Sequence, residues 1–335
     1  MKLKRSITAI AMVLILLLTA CGSKDTKQQA TAGTELDTVK IASWSQPISE
    51  QTNLLVSDEK DFFKNEGLNV EFIPGAGGGD AIKNILTGKA DIAFTDPGSL
   101  YFALNQGENL KVIYNIYPQN VFNVVSLKES NITKPEDLKG KKIGVYSLSS
   151  GTRQNLLVLL NQAGLSEKDV TIVETGLLNF APLMQGQVDA TAATDTGLVT
   201  AAEKGLADVN VLEVKNYLNI PSDIFVVSEK TYNEKKDMLK KFVKGYQTSA
   251  EWMISQPEEA AALAAKHAID GKDQNHNLEI IKLRNEAGTS KATSERGLGA
   301  LEVDVLQQGA DIYHELGLID KELQMSEFIV EDFTK

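Results

Sequence analysis

Two widely separated segments of the chain share one pattern, and this pattern restricts the possible folds more than any other feature. The first segment reads LTGKAD at 86–91 and TDPG at 95–98, and the second reads MQGQVD at 184–189 and TDTG at 194–197. In both, Gly-x-x-Asp precedes a short apolar strand, and Thr-Asp-x-Gly stands where a helix begins. These are common turn residues, so chance similarity is the alternative explanation. The shared place in a helix–strand–helix unit favours two similarly built lobes with a ligand site at the strand ends.

Short apolar strands alternate with helices along most of the chain. The sequence predicts strands at 39–44, 69–73, 90–94, 111–116, 121–127, 142–146, 170–174, 188–193 and 224–227. It predicts helices at 49–66, 80–88, from Pro97 onward, 152–163, 178–185, 196–204, 235–256, 257–267, 278–287 and 303–316. Strands that alternate with helices are typical of an α/β fold with a largely parallel sheet.

Length and charge limit the domain number and the kinds of partner. The 335 residues exceed what one hydrophobic core usually serves, so we expect two domains. With 42% apolar and 24% charged residues, the composition is that of a globular protein. The net charge of −11 argues against nucleic acid as a partner, although a local positive site for an anion remains compatible with it. We expect a monomer.

The N-terminus has the organisation of a secretory signal peptide. Lys2, Lys4 and Arg5 precede an apolar run at 7–20, which is shorter than the roughly 20 residues that span a bilayer. Cys21 is the only cysteine, and the sequence LTAC at 18–21 resembles a bacterial lipobox. That resemblance implies removal of residues 1–20 and acylation of Cys21, which would anchor the protein to the cell membrane on its extracytoplasmic face. An ordinary signal peptide with an incidental cysteine and an uncleaved anchor are the alternatives.

The segment after Cys21 is polar and reads as a spacer. Residues 21–38 are mainly Gly, Ser, Thr, Lys, Asp, Glu, Gln and Ala, which cannot bury a core. Such a composition is typical of a flexible tether. We therefore expect the folded region to begin at about residue 39.

Four further motifs resemble those of the type II periplasmic binding proteins, the solute receptors of ABC importers. They are DFFKNEGLNV at 61–70, LTGKADIA at 86–93, DLKGKKIGV at 137–145 and QGQVDA at 185–190. Within that family the chain is most similar to the branch of sulfonate-, taurine- and nitrate-binding proteins and binders of thiamine-precursor pyrimidines.

The resemblance implies a division of the chain and a set of partners. It implies one α/β lobe at 39–121 and 229–335, a second at 122–228, and two crossing strands between them near 121–127 and 224–227. The C-terminal helices would pack on the first lobe. A small solute would bind between the lobes, and an ABC permease with its ATPase would receive it.

Three loops of the first lobe carry candidate ligand-binding residues. Trp44 could stack on a flat ring or pack beneath its loop; pyrimidine-binding relatives have Trp-x-Pro here, whereas this chain has Trp-x-x-Pro. The glycine-rich loop could bring backbone N–H groups to a ligand, although it lacks the Lys-Ser/Thr of a P-loop. Asp96 could bind an amine or cap the helix that begins at Pro97. The candidates of this lobe are Trp44, Ser45, Gln46, Gly77, Gly78, Gly79, Thr95 and Asp96.

The second lobe offers hydroxyl groups and a helix start that suit an oxyanion. Arg153 could supply the counter-charge or lie solvated at the surface, and Asp195 repeats the ambiguity of Asp96. Tyr117 and Asn120 could line the wall beside the first crossing strand. The candidates of this group are Tyr117, Asn120, Ser149, Ser150, Gly151, Thr152, Arg153, Thr194 and Asp195.

We expect no catalytic residue, no metal site and no cofactor. His267, His276 and His314 lie in the C-terminal part and lack the spacing of metal ligands, so solvated surface positions are expected. The chain also lacks a Gly-x-Ser-x-Gly elbow. The sequence therefore favours a receptor for a sulfonate, nitrate, taurine or an aminopyrimidine. An exported enzyme of the same fold and a tethered sensor or adhesion module are the alternatives.

Overall fold

The computed structural model describes residues 36–333, so the predicted signal peptide, the predicted acylation site Cys21 and the predicted tether up to residue 35 lie outside the described residues. The last two residues assigned to that tether, Asp37 and Thr38, belong to the first strand. The strands of the described part are β1 (Asp37–Ser43), β2 (Leu68–Ile73), β3 (Ile92–Thr95), β4 (Leu110–Tyr117), β5 (Phe122–Leu127), β6 (Lys142–Val145), β7 (Thr171–Glu174), β8 (Ala190–Thr194), β9 (Val209–Glu213) and β10 (Asp223–Ser228).

The α-helices of residues 36–333 connect the strands and then fill the C-terminal third. They are α1 (Thr52–Leu55), α2 (Gly78–Leu86), α3 (Pro97–Asn105), α4 (Gly151–Gln162), α5 (Ala181–Met184), α6 (Asp195–Glu203), α7 (Glu229–Glu234), α8 (Lys236–Ser255), α9 (Pro257–His267), α10 (Gln274–Ala287), α11 (Lys291–Arg296) and α12 (Val303–Glu315). Between residues 36 and 333, no helix combines the length and apolar character that a membrane crossing requires.

The strands form two five-stranded sheets of matching design, as the sequence repeat predicts. The first sheet has the order β2-β1-β3-β10-β4 and the second has the order β7-β6-β8-β5-β9. In each sheet, the first three strands in this order are parallel. The fourth, β10 or β5, runs antiparallel to both of its neighbours. The α/β class is therefore confirmed, but both sheets are mixed, whereas the sequence predicted a largely parallel sheet.

The chain passes between the sheets twice, at the two places that were expected to cross. Strand β5 follows the first-sheet strand β4 and enters the second sheet, whereas β10 follows the second-sheet strands and returns to the first. The expected boundary of the second lobe at residue 228 therefore falls one strand too late, because β10 (Asp223–Ser228) pairs with β3 and β4. We call the first sheet with the helices packed on it the first half, and the second sheet with the helices packed on it the second half.

The repeated aspartates perform the same structural task in both halves. The backbone N–H of Lys40 donates to Asp91 Oδ2 at 2.9 Å, and that of Lys142 donates to Asp189 Oδ2 at 2.7 Å. In return, the N–H of each aspartate donates to the carbonyl of the same lysine, at 2.8 and 2.7 Å. The Gly-x-x-Asp motif thus joins β3 to β1 in the first sheet and β8 to β6 in the second. This shared task explains why the motif recurs.

Two predicted helices are interrupted. The region 49–66 contains only a 3-10 turn (Ser49–Gln51), α1 and a second 3-10 turn (Lys64–Glu66). Phe63 is buried against Phe242 and the half-buried Phe62 lies against Trp252, with ring centroids 5.5 Å apart in both cases, so both side chains of this irregular segment pack on α8.

The region 178–185 is shortened for a different reason. Pro182 lies in the first turn of α5, where its missing N–H is tolerated. A helix that began at residue 178 would place this proline in its interior. Three elements were not predicted at all: the short edge strand β9 and the six-residue helices α7 and α11.

The C-terminal helices pack on the first sheet, as expected. Phe225 of β10 lies edge-on to Phe242 and Tyr246 of α8, with ring centroids 5.2 and 4.7 Å apart. Helix α10 has a second neighbour, because it also contacts α6 of the second half. The cleft between the halves is therefore bordered by α10 on one side.

Candidate functional site

A cavity of about 400 Å³ lies between the two halves, at the ends of β1, β3, β5 and β8. Its volume falls within the range of about 300–1,000 Å³ that is usual for small-molecule sites. Two kinds of side chain dominate its inner wall. Aromatic rings come from Trp44, Phe122, Tyr146 and Phe180, and buried acids come from Glu50, Asp96 and Asp223.

Trp44 follows β1 and forms an aromatic wall with residues from both halves. Its ring lies edge-on to Tyr146, with centroids 6.1 Å apart, and to Phe94 at 6.5 Å. The indole Nε1–H is buried and has no hydrogen-bond partner among residues 36–333. An unmet buried donor costs about 1–3 kcal/mol, so a bound group that accepts this hydrogen bond would be stabilised.

Asp96 lies where the N-termini of three helices meet. It caps α3, since its carboxylate accepts the Ser99 N–H at 2.9 Å and the Ser99 hydroxyl at 2.7 Å. A β-carbon on Gly78, the first residue of α2, would collide with Asp96 Oδ2, and one on Gly151, the first residue of α4, would lie 3.2 Å from its Cγ. The helix starts that the sequence assigned to a bound oxyanion are thus already faced by a carboxylate of the protein.

Glu50 is fixed in the cavity wall by its neighbours in the 3-10 turn. The N–H and hydroxyl of Ser49 both donate to Asp270 Oδ1 at 2.8 Å, which ties the turn to the segment before α10. The Tyr117 hydroxyl donates to the Glu50 carbonyl at 3.1 Å. From the second half, the Thr196 hydroxyl donates to Glu50 Oε2 at 3.2 Å. Glu50 is therefore held by groups on both sides of the cleft.

Arg284 of α10 is the buried cation of this site. Its side chain is 1% exposed, and its Nε lies 3.0 Å from Glu50 Oε2. Its Nη2 donates to Asp195 Oδ1, at the start of α6 in the second half. The guanidinium also lies 5.3 Å from the ring centroid of Tyr117. Two carboxylates and an aromatic face therefore occupy this arginine.

Burial raises the pKa of the three buried acids of the cavity wall. Burial raises the pKa of Asp96 to about 6, although hydrogen bonds from Ser99 oppose the change. Burial also raises the pKa of Glu50, against the opposing charge of Arg284, and it raises the pKa of Asp223 well above its ordinary value. The lining thus holds three buried acids, one buried arginine and the exposed Lys204. The cavity favours a ligand that brings positive charge or hydrogen-bond donors.

The glycine-rich loop meets the second half on the opposite side of the cavity. The Gly79 N–H donates to the Ser149 carbonyl at 2.9 Å, and the Ser149 hydroxyl donates to the Ala76 carbonyl at 3.2 Å. Gly77 has φ +133°, and a β-carbon there would lie 2.6 Å from the Ser149 carbonyl oxygen. Only glycine permits this approach. These contacts and those of Arg284 close the cleft from two sides.

The structure brings about half of the sequence-predicted residues to the cavity wall. Those that line it are Trp44, Gly77, Gly78, Asp96, Ser150, Gly151, Thr152 and Thr194. Those that do not line it are Ser45, Gln46, Gly79, Thr95, Tyr117, Asn120, Ser149, Arg153 and Asp195.

The second group is engaged elsewhere in the protein. Arg153 forms a two-pronged pair with Glu167, at 2.8 and 2.7 Å, on the surface of the second half. The Asn120 side-chain amide donates to Asn155 Oδ1 and to a backbone carbonyl, at 3.0 Å each. Thr95 is fully buried beneath Gly78, and Asp195 is paired with Arg284. Tyr117, Gly79 and Ser149 make the contacts described above.

Six of the wall residues described above were not among the sequence-predicted candidates: Glu50, Phe122, Tyr146, Phe180, Asp223 and Arg284. A charged residue inside an otherwise apolar helix face or strand start was the available signal for Asp223 and Arg284.

The expectation for His276 was wrong. Its residue is only 8% exposed, and its Nδ1 lies 2.7 Å from Glu203 Oε2 of α6. Across residues 36–333, no three His, Cys, Asp or Glu side chains are grouped so that they could hold a metal ion.

The chain is similar in sequence to proteins that are named as solute-binding proteins and to one that is named as an enzyme. It is 22% identical to the riboflavin-binding protein RibY of Chloroflexus aurantiacus, over 99% of this chain and 98% of that protein. It is 23% identical to the formylaminopyrimidine-binding protein of Halalkalibacterium halodurans, over 76% and 77%. It is also 22% identical to the 4-amino-5-hydroxymethyl-2-methylpyrimidine phosphate synthase THI13 of Saccharomyces cerevisiae, over 71% and 72%.

The fold matches that of solved periplasmic binding proteins. The alkanesulfonate-binding protein SsuA of Xanthomonas axonopodis pv. citri, bound to MOPS, superposes with a TM-score of 0.67 at 16% identity, over 89% of this chain and 99% of that one. The family described as NMT1/THI5 like matches residues 48–260, which is more than half of the sequence. The chain therefore belongs to the NMT1/THI5-like family.

Proposed function

We propose that this protein is an extracytoplasmic solute-binding protein of an ABC importer and that it captures a flat, nitrogen-containing heteroaromatic solute. The observation that carries the proposal is the juxtaposition of an aromatic wall and buried acids in one cavity between the halves. Trp44 and Tyr146 offer surface to a ring, while Glu50, Asp96 and Asp223 offer acceptors to ring or amino N–H groups. A solute of this class can contact the aromatic rings and also donate hydrogen bonds to the buried acids.

The same geometry argues against a sulfonate, nitrate or taurine sulfonate group as the solute. The helix starts at Gly78 and Gly151 face the carboxylate of Asp96, which would repel a second anion. The positive charge of Arg284 is already shared by Glu50 and Asp195. A cavity of about 400 Å³ is also far larger than nitrate requires.

The names of two relatives agree with this class of solute. One is named as a riboflavin-binding protein and the other as a formylaminopyrimidine-binding protein, and both compounds are flat nitrogen heterocycles. At 22% and 23% identity these names support the class and leave the choice between a pyrimidine and a larger ring to measurement.

Capture followed by transfer requires a tether and a membrane partner. We propose that acylated Cys21 holds the protein at the outer face of the cell membrane and that the polar residues between Cys21 and β1 let it reach a permease with its ATPase. Solute would stabilise the closed arrangement through contacts that both halves make only when the cleft is shut. The permease would then recognise that arrangement.

An enzyme of the same fold is the second candidate, since one relative is named as a pyrimidine phosphate synthase. The two candidates differ in the fate of the solute. A receptor returns the bound compound unchanged after denaturation, whereas an enzyme releases a product. Chromatography and mass spectrometry of the recovered compound therefore separate them.

A thermal-shift and calorimetric panel tests the proposed solute class. The purified protein is titrated with 4-amino-5-hydroxymethyl-2-methylpyrimidine, formylaminopyrimidine and riboflavin, and in parallel with taurine, methanesulfonate and nitrate. A compound that binds only the native state must raise the Tm. We expect at least one heterocycle to do so and the anions to have no effect. Stabilisation by the anions alone, or by no compound, would overturn the proposal.

Variants of the cavity acids add a second test. Asp223→Asn and Glu50→Gln should each weaken binding of the heterocycle at least tenfold. Glu167→Gln is the matched control, because it makes the same carboxylate-to-amide change on the surface, where Glu167 pairs with Arg153. Equal affinities for all three variants would remove the acids from the site.

A further inference from the structure

We propose that Arg284 is a positioning residue that couples solute capture to closure of the cleft. It orients Glu50 for the solute and, with the same guanidinium, holds helix α6 of the second half across the cavity. The proposal rests on the proposed function only in that a solute occupies this cavity. The link between the two halves is a property of the protein itself.

The first task of Arg284 is to orient the carboxylate of Glu50. Its Oε2 has two contacts: an ion pair with Arg284 Nε at 3.0 Å within the first half, and a hydrogen bond from the Thr196 hydroxyl at 3.2 Å across the cleft. Among residues 36–333, no hydrogen bond reaches Oε1. Arg284 therefore turns one oxygen of this cavity carboxylate away from the solute and leaves the other to accept a donor from it.

The second task of Arg284 is to hold helix α6 of the second half. Arg284 Nη2 reaches Asp195 Oδ1, which also accepts the N–H of Thr196 at 2.7 Å. Asp195 lies in the second half, whereas Arg284 and Glu50 belong to the first. Separation of the halves would remove Asp195 and Thr196 from Arg284 and Glu50 together. The cluster Glu50, Arg284, Asp195 and Thr196 is thus complete only when the cleft is closed.

A second contact of the same two helices supports this assignment. His276 lies two turns before Arg284 on α10, and its Nδ1 is 2.7 Å from Glu203 Oε2 near the end of α6. Ile280, between His276 and Arg284, lines the cavity. Helices α10 and α6 are therefore joined by polar pairs at both ends, with the solute cavity against the face between them.

The commitment of Arg284 explains why it positions rather than binds. Both of its carboxylate partners and the Tyr117 ring occupy the guanidinium, and its side chain is 1% exposed. Asp195, in contrast, is 35% exposed and does not line the cavity. A change at Asp195 therefore breaks the link across the cleft without removing a group that faces the solute.

Asp195→Asn is the first test variant, because it keeps the side-chain size and leaves Arg284 on Glu50. With the heterocycle identified by the panel, stopped-flow measurement should show an unchanged association rate and a dissociation rate increased about tenfold. Arg284→Lys should do the same, since a lysine cannot hold both carboxylates with a planar fork. Glu167→Gln, which breaks an arginine–carboxylate pair within the second half, should leave both rates unchanged. Unaltered dissociation in Asp195→Asn would overturn the proposal.

Small-angle scattering of the solute-free protein gives a readout that needs no solute. Asp195→Asn should increase the radius of gyration relative to wild type, whereas Glu167→Gln should not. Identical scattering of Asp195→Asn and wild type would overturn the role of Arg284 in closure. Failure of every compound in the panel would overturn the proposed solute class and leave this result to decide on Arg284.

Discussion

The carboxylate of Asp96 occupies the space that a side chain on Gly78 would need. A β-carbon on Gly78 would collide with Asp96 Oδ2 and would lie 2.6 Å from Thr95 Oγ1 and 2.9 Å from Ser99 Oγ. The glycine therefore allows helix α2 to approach the cap of α3 directly. This approach places the helix start against a protein carboxylate at the inner end of the cavity.

Gly78→Ala should therefore destabilise the protein and weaken solute binding. The added methyl group must displace Asp96 or move α2, which typically costs about 1–3 kcal/mol of unfolding free energy. Gly79→Ala is the matched control in the same helical turn, since its β-carbon would be 3.3 Å from the nearest atom, Ser149 Cβ. Urea denaturation of the two variants gives the comparison, and equal stabilities would show that the α2–Asp96 approach is not tight.

Protonation of Asp96 should make stability depend on pH with a defined sign. Burial raises the folded-state pKa of Asp96 to about 6, above its ordinary value of 3.8, so the native state binds this proton more tightly than the unfolded chain does. This contribution to stability is fully present below pH 3.8 and is lost as the pH rises through 6. Its size is on the order of 3 kcal/mol, at 1.36 kcal/mol per pH unit.

Asp96→Asn isolates this contribution from that of other carboxylates. The difference in unfolding free energy between wild type and variant should shift against wild type between pH 4 and pH 7, because only wild type must ionise this side chain. Denaturation at several pH values measures the difference. A constant difference across that range would show that Asp96 does not titrate there.

The parts of the structure that depend on neighbouring residues could be predicted from the sequence. The Gly-x-x-Asp motif joins two neighbouring strands in each half, so the repeat at Asp91 and Asp189 predicts two similar sheets. The alternation of apolar strands and helices likewise gave the α/β class. The mixed character of the sheets could not be predicted, because it depends on where β5 and β10 insert.

The cavity chemistry depends on contacts between distant parts of the chain. Arg284 lies 89 residues from Asp195, and Thr196 lies 146 residues from Glu50. No local pattern indicates such pairs. Arg153 was the more visible candidate because it follows a Ser-Gly-Thr helix start, yet its side chain turns outward to Glu167.

Trp44 should report solute binding by its fluorescence. The chain contains two tryptophans, and Trp252 lies outside the cavity, where it donates to Glu259 at 2.8 Å. Trp252→Phe should therefore retain the change in emission when the heterocycle binds, whereas Trp44→Phe should lose it. Trp44→Ala should also lower the affinity about tenfold or more, since a stacked ring contact is lost. A binding signal that survives in Trp44→Phe would place the solute elsewhere.

Arg153→Met should have little effect on either binding or stability. The pair with Glu167 lies on the surface, where the Glu167 side chain is 43% exposed, and such pairs contribute about 0–1 kcal/mol. Arg153 does not line the cavity. Calorimetric titration of the heterocycle should give the wild-type affinity. A tenfold loss would return Arg153 to the role that the sequence first suggested.

The two repeated aspartates should differ in their effect on stability although their backbone contacts match. Asp91 accepts the N–H of Lys40, and Asp189 accepts that of Lys142. Asp91 also pairs with Lys235 at 2.6 Å and is only 9% exposed. Asp91→Ala leaves a partly buried N–H unpaired and removes the pair with Lys235, which costs about 1 kcal/mol, whereas water can satisfy the exposed N–H that Asp189→Ala frees. Denaturant unfolding should therefore rank Asp91→Ala as the less stable variant. Solute affinity should not change in either, because both residues lie at strand starts, away from the cavity; the reverse ranking would show that the two halves do not share this junction.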